Sequence, residues 1–315
     1  MTHLRTNALK GRHFLRVADW KPSELKAVLD LGDELKMLLA RGRPHKLLPG
    51  RSIALIFNKA STRTRVSFEV GICQLGGTWV SITAAHTHLA RGETLKDTAC
   101  VLSRYVDAIV IRTGPHSDVD ELASFSSVPV LNALTDSSHP CQALADVMTI
   151  RERYGQLDGV RLAYLGDGNN VCASLMVAAA KLGMSFIAAC PPGYEPSKQA
   201  LADADEAAGE SGAKIEIVND PERAARDADV LYTDVCVSMG QEEERDKRLA
   251  DFQSYSIDER LLALARPEAF VMHCLPAHYG EEISEEIAHG PRSVIWDQAE
   301  NRLHAQKALM AMVMR

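Results

Sequence analysis

The sequence predicts an α/β protein of two doubly wound parallel-sheet domains joined by helices, with the active site in the cleft between them. Three observations predict it. Short β-rich runs alternate with helical patterns almost from end to end, as in chained strand–helix–strand units. Most runs are nearly continuous in apolar residues, as strands buried on both faces of a parallel sheet are. The runs number ten, four before residue 140 and six after 159, which is too many for one comfortable sheet in 315 residues. One domain usually takes about 100–200 residues, so two are expected.

The first run, 52–57 (SIALIF), leads into a helix opening at Ser61, whose apolar face is expected to be Val66, Val70 and Cys73. The run 78–82 precedes a segment, 84–93 (AAHTHLARGE), that makes a poor strand or helix and is expected to be an extended surface loop. Leu95, Ala99, Leu102 and Val106 then fall at i, i+4, i+7 and i+11 and share one helical face. Runs 107–112 and 128–131 complete the first sheet. A helix over 139–154, with Pro140 at its first position, links to the second sheet. That sheet takes the runs 160–165, 185–190, 214–218, 229–233, 269–274 and 293–296. The densest charge run, 241–248 (QEEERDKR), is expected to be a solvated loop or exposed helix start, and 299–315 reads as a final helix free to pack on the first domain. The expected domains are therefore 1–138 with the helix 300–315, and 155–299, with 139–154 between them.

Composition bounds the function. Thirty-five Lys and Arg against 42 Asp and Glu give a net charge of -7, which argues against general nucleic-acid affinity. A local Arg cluster still suffices for a small anion. No apolar run approaches the ~20 residues that span a bilayer, and the N-terminal stretch shows no apolar secretory core. Seven Cys are scattered singly with no CxxC, which fits reduced thiols in a cytoplasmic protein.

Five motifs carry chemistry. Ser61-Thr62-Arg63-Thr64-Arg65 follows a strand and opens a helix, whose first N–H groups are unpaired and carry partial positive charge. Hydroxyls and guanidiniums there suit phosphate, although a Ser N-cap followed by solvated Arg fits too; it is no Walker loop. In Ser138-His139-Pro140-Cys141-Gln142, Pro140 holds His139 extended, and Gln142 can lie on the same side; a His that merely caps the helix fits that segment equally well. Gly166-Asp167-Gly168-Asn169-Asn170 resembles a dinucleotide turn, but Val171 stands at the third glycine position and no acid closes the next strand. It reads instead as a strand–helix turn with a free Asn pair. Asp234 ends a strand, where a carboxylate can hold an ammonium, and Ser238-Met239-Gly240 follows; a surface Asp is the plainer alternative. In His273-Cys274-Leu275-Pro276, adjacent side chains on a strand point to opposite sides, so zinc is not expected. Pro276 is a candidate for a cis bond.

Each motif, and Arg112 with them, lies at the C-terminal end of an expected strand, the edge where open α/β sheets bind ligands. A basic set (Arg63, Arg65, Arg112, His139) and a polar set (Asn170, Asp234, Ser238) suggest an anionic donor and a zwitterionic or cationic acceptor.

In this order, STRTR, HPCQALAD, DGNN, D-x-x-x-SMG, HCLP and AENR resemble the ornithine carbamoyltransferases of the aspartate/ornithine carbamoyltransferase family, over residues 61–302. The resemblance implies carbamoyl transfer from carbamoyl phosphate to L-ornithine, a step of arginine biosynthesis, in a cytoplasmic homotrimer with neither metal nor organic cofactor. It makes 1–138 the carbamoyl phosphate-binding domain and 155–299 the ornithine-binding domain. It implies that Ser61, Thr62, Arg63, Thr64 and Arg112 hold the phosphate and that Arg302 contacts carbamoyl phosphate. Arg112, His139 and Thr64 would polarise the carbonyl, and Gln142 with the Leu275 carbonyl would orient the carbamoyl NH2. Asn170, Asp234, Ser238 and Met239 would hold ornithine, with Cys274 beside the attacking amine. His88, in HLARGET, matches the position that reaches a neighbouring subunit's phosphate site. Neither a nucleic acid nor a membrane is an expected partner. A carbamoyltransferase for putrescine is the rival within the class; a nicotinamide-dependent oxidoreductase, or a member without activity, are rivals outside it.

Overall fold

In the computed structural model, which describes residues 9–83, 92–238 and 240–315, the chain forms two compact units. One comprises Met1–Met148 and Glu300–Arg315, the other Thr149–Ala299.

The first unit runs α1 (Pro22–Ala40), β1 (Ser52–Phe57), α2 (Thr62–Leu75), β2 (Thr78–Thr83), α3 (Leu95–Leu102), β3 (Ala108–Arg112), α4 (His116–Phe125), β4 (Val130–Leu134) and the opening of α5 (Pro140–Tyr154). Local signals set these bounds. Pro22 opens α1, where the Glu24 carboxylate accepts from the Lys21 N–H at 2.8 Å. The Ser61 hydroxyl caps α2 by accepting from the Thr64 N–H at 3.3 Å, and Gly76 ends that helix at φ 83°, a left-handed conformation in which a side chain is strained. The four strands pair in parallel in the order β2-β1-β3-β4. The core packs Ala54 and Ile56 of β1, Ile109 and Ile111 of β3, and Val130 of β4 under Ala99, Val119 and Leu122. Each buried Ile, Val or Leu side chain contributes roughly 1.5–3 kcal/mol.

The second unit takes the rest of α5, then β5 (Arg161–Leu165), α6 (Asn170–Lys181), β6 (Ser185–Ala189), α7 (Lys198–Ser211), β7 (Ile215–Val218), α8 (Pro221–Ala225), β8 (Val230–Thr233), α9 (Arg245–Phe252), α10 (Glu259–Leu264), β9 (Phe270–His273), α11 (Glu285–Ala288) and the start of α12 (Ile295–Met314). Its strands are also all parallel, in the order β7-β6-β5-β8-β9. The central strand β5 is buried at Leu162, Ala163, Tyr164 and Leu165, as its unbroken apolar run requires.

Three expectations are corrected. The run 293–296 is no strand: Ser293 makes one isolated bridge to Val271, and Ile295 already begins α12. Three apolar residues, Val294, Ile295 and Trp296, do not distinguish a strand from a helix start. The fourth strand is displaced, to Val130–Leu134. On α2 the expected face is reversed: Val66 and Val70 are 52% and 40% exposed, Cys73 is exposed, and the buried stripe is Phe68, Ile72 and Leu75. Leu95, Ala99, Leu102 and Val106 do pack together on the core, although Val106 lies past the end of α3. Most of the loop 84–93, with His88, lies outside the described residues, as does Met239. Among the described residues no helix is long and apolar enough to cross a membrane.

Candidate functional site

Sheet topology singles out one crevice in each unit. In the first, the chain leaves β1 to one side for β2 and returns on the other side for β3. In the second, it leaves β5 for β6 and β7 and returns on the far side for β8. The strand order reverses at β1/β3 and at β5/β8, and open α/β sheets bind ligands outside the carboxyl ends of the strands at that point. STRTR follows β1 and Arg112 ends β3; GDGNN follows β5 and Asp234 follows β8.

At the first crevice a buried cationic cluster converges on one hydroxyl. Thr64 Oγ1 accepts from Arg302 Nη2 at 2.7 Å and from Arg112 Nη1 at 3.3 Å. Arg302 Nη1 also donates to Gln142 Oε1 at 2.7 Å, and Gln142 Nε2 donates to Asp146 Oδ1 at 2.8 Å. Arg112, Arg302, His139 and Gln142 are all buried. His139 is held in place by the tight turn after β4, where the Thr135 N–H donates to Ser138 O at 2.8 Å, and by Pro140 at the first position of α5. Burial, reinforced by the neighbouring Arg302 and Arg112 charges, holds the His139 pKa well below its ordinary value. The imidazole is therefore neutral near pH 7 and can donate without carrying charge. Burial pushes the neighbouring Cys141 thiol up to about 12, so it remains protonated. Ser61 caps α2, and Thr62 and Arg63 are exposed on its opening turn. Arg65 does not join the basic set: its Nε donates to Glu69 one turn along the helix at 2.9 Å.

At the second crevice the buried carboxylate of Asp234 is gripped from several directions. Asn169 Nδ2 donates to Oδ2 at 2.8 Å, the Val235 N–H to Oδ1 at 2.8 Å, and Cys274 Sγ to Oδ1 at 2.9 Å. The Asn pair is thus not free. Asn169 also caps α6, its Oδ1 accepting from the N–H groups of Val171 and Cys172. Cys274 lies just beyond β9, so the alternation that sends neighbouring side chains apart on a strand does not apply. His273 Nδ1 accepts from the Leu275 N–H at 2.8 Å and Nε2 donates to Glu282 at 3.0 Å. Leu275–Pro276 is cis, and Leu275 has φ 62°. Ser238 is half-buried, with its N–H donating to Gln241 Oε1 at 2.9 Å.

Asp234, His273 and Cys274 bring ligand-type atoms within 4.8 Å of one another. Both ring nitrogens of His273 are already engaged, so a cation held there has to displace the Leu275 N–H or Glu282. Cys236, Glu281 and Glu282 form a second such group, in which Arg245 already pairs with Glu281.

Sequence reasoning missed Arg248. Within the charge run it looked solvated, yet it is 3% exposed and pairs with Asp167 of the GDGNN turn. Burial outweighs that partner and raises the Asp167 pKa to about 6. The available signal was Phe252, four residues on and therefore on the same helical face.

Two family models match in sequence order: the carbamoyl-P binding domain of aspartate/ornithine carbamoyltransferase over residues 12–152, and its Asp/Orn binding domain over residues 158–313. The chain belongs to the aspartate/ornithine carbamoyltransferase family. It is 50% identical to an ornithine carbamoyltransferase of Pyrococcus horikoshii over 98% of this chain and 97% of that one. An ornithine carbamoyltransferase of Acidothermus cellulolyticus is 55% identical over 96% of each chain. Among solved structures, the ornithine carbamoyltransferase from Pyrococcus furiosus superposes with a TM-score of 0.95 at 50% identity, covering 97% of this chain and 98% of that one.

Proposed function

We propose that the protein transfers the carbamoyl group of carbamoyl phosphate to the δ-amine of L-ornithine, giving L-citrulline and phosphate. The family accepts either aspartate or ornithine, and the observation that decides between them is Asp234. A buried carboxylate beside a thiol and the Asn169 amide suits an ammonium group and repels a second carboxylate. Its placement at a strand end, with Ser238 four residues on and Asn170 next to the Asn169 that donates to it, suits an α-amino acid head group that putrescine lacks.

The chemistry follows from the two clusters. Ser61, Thr62, Arg63 and Thr64 at the start of α2 bind the phosphate of carbamoyl phosphate, with Arg112 and Arg302. Arg112, neutral His139 and Thr64 donate to the carbamoyl oxygen, while Gln142 and the Leu275 carbonyl orient the NH2. The neutral amine attacks the carbonyl carbon; the N–C bond forms, the oxygen gains charge, the C–O bond to phosphate breaks and the departing phosphate takes up the proton that the amine gives up. Fixed donors aimed at the developing oxyanion are the largest catalytic term in sites of this kind. Cys274 lies beside the amine, and Met239 completes the ornithine set. No oxidation state changes, so the reaction calls on no redox cofactor.

We also propose a cytoplasmic homotrimer, with His88 serving a neighbouring copy. Val66, Val70 and Trp79 are 52%, 40% and 38% exposed. They lie on α2 and β2 of the first unit, which are tied together by Ser81 donating to Glu69 at 2.8 Å. An exposed apolar patch of this kind favours contact with another protein surface. The test of the activity is citrulline and phosphate formation from carbamoyl phosphate and ornithine. Stoichiometric release of both products is expected, and phosphate release without citrulline would overturn the reading.

A further inference from the structure

Arg248, on α9, makes contacts that converge on the segments assigned to the amino-acid substrate. Its Nε donates to the Cys236 carbonyl at 2.6 Å, two residues after Asp234 and two before Ser238. Its Nη2 pairs with Asp167 in the turn after β5. The guanidinium carbon lies 4.8 Å from the ring centroid of Tyr194 and 5.2 Å from that of Phe252.

Those contacts reach Asp234 through short, rigid connections. The Gly168 N–H donates to Tyr194 O at 2.8 Å, and the Asn169 N–H to Asp167 O at 2.7 Å. The Asn169 side chain then donates to Asp234. The turn fits closely against its neighbours: a Cβ at Gly168 would lie 2.3 Å from Pro196 N, so only glycine fits there. One guanidinium therefore fixes both the turn carrying Asn169 and Asn170 and the segment carrying Asp234 and Ser238.

A buried ion pair is seldom more stabilising than an apolar pair of equal volume, so its gain lies in defined geometry. Only arginine's planar fork bonds two acceptors in different directions while stacking on aromatic faces; lysine is a point charge on a flexible stem. We infer that Arg248 is a positioning residue that sets affinity for the amino-acid substrate, by holding the turn 166–170 and the segment 234–238 in register. This rests on the assignment of Asn170, Asp234 and Ser238 to ornithine.

The experiment compares the wild-type protein with Arg248→Lys and Asp167→Asn. It measures KM for ornithine, kcat, the calorimetric Kd for carbamoyl phosphate alone, and the melting temperature. Displacements of about 1 Å in such a site cost up to ~100-fold. Both variants are expected to raise the ornithine KM at least ~10-fold, with a smaller change in kcat and an unchanged carbamoyl phosphate Kd. A merely structural role would instead lower the melting temperature and weaken both substrates together, which overturns the inference. Where Arg248→Lys does not fold, Asp167→Asn, which retains the guanidinium and its bond to Cys236, decides. Wild-type turnover with an unchanged ornithine KM in the variants overturns the inference alone. A wild-type protein that makes no citrulline overturns the functional reading and this inference with it.

Discussion

Lys307 offers a sharp test of the first unit's packing, because a fully buried amine must report its burial through pH. It sits on α12 with no exposed surface, donating to Gln74 Oε1 at 2.8 Å and bonding to His45 Nε2 at 3.1 Å. His45 Nδ1 contacts Arg43 O at 3.1 Å, so Nδ1 carries the proton and Nε2 accepts from the lysine. Burial lowers the Lys307 pKa from 10.5 to about 8. The folded chain thus binds fewer protons than the unfolded chain between about pH 8 and 10.5, and stability must rise with pH across that window. At roughly 1.4 kcal/mol per pKa unit, the charged amine costs the fold about 3 kcal/mol below pH 8. Lys307→Met removes that cost but leaves two acceptors without their donor, at about 1–3 kcal/mol each. The terms offset near pH 7, so the variant should match the wild type there. By pH 10.5 only the loss remains, and the wild type should be more stable by about 2–6 kcal/mol. Urea unfolding of both proteins at one protein concentration, from pH 7 to 10.5, reads this directly. Stability curves that stay parallel across that range would refute the reasoning.

Arg63→Ala should weaken carbamoyl phosphate binding about ten- to a hundredfold, the equivalent of a charged hydrogen bond, with an unchanged melting temperature because Arg63 is exposed on the first turn of α2; normal kinetics would reduce STRTR to a helix cap. Activity should climb from pH 6 to 9 as the ornithine amine, of ordinary pKa ~10, loses its proton. His139, whose burial holds its pKa well below the ordinary value, should add no second inflection, and a flat kcat/KM with chemistry rate-limiting would contradict amine attack. Inactive His88→Ala and Arg63→Ala proteins, dissociated and reassembled together, should regain part of the activity if copies share sites. A fully active His88→Ala, or a monomer in sedimentation, would refute the shared site.

The strand-by-strand architecture was legible because parallel strands buried on both faces must be almost wholly apolar, as SIALIF and RLAYL are. Ambiguity entered where one sequence feature serves two structural purposes. Helix α2 carries two apolar stripes of equal period, Val66-Val70-Cys73 and Phe68-Ile72-Leu75; periodicity detects both but does not say which one meets the core and which faces outward. The Asn pair looked equivalent until the cap on α6 claimed Asn169. Arg248 was hidden by its charged neighbours, since composition averages over a helix whose faces differ. Arg302 stands far from the other groups in sequence, and only AENR in its motif order pointed to it before its bond to Thr64 placed it in the first cluster.

The central claim is recognition of an α-amino acid by a buried carboxylate at the β5/β8 crevice. Its most direct test is kcat/KM for carbamoyl transfer to L-ornithine, putrescine, L-lysine and L-aspartate under one condition. A buried charge left without its partner costs about 3–5 kcal/mol, so ornithine should exceed putrescine by at least ~100-fold. Comparable values for ornithine and putrescine, or a preference for aspartate, would contradict the account.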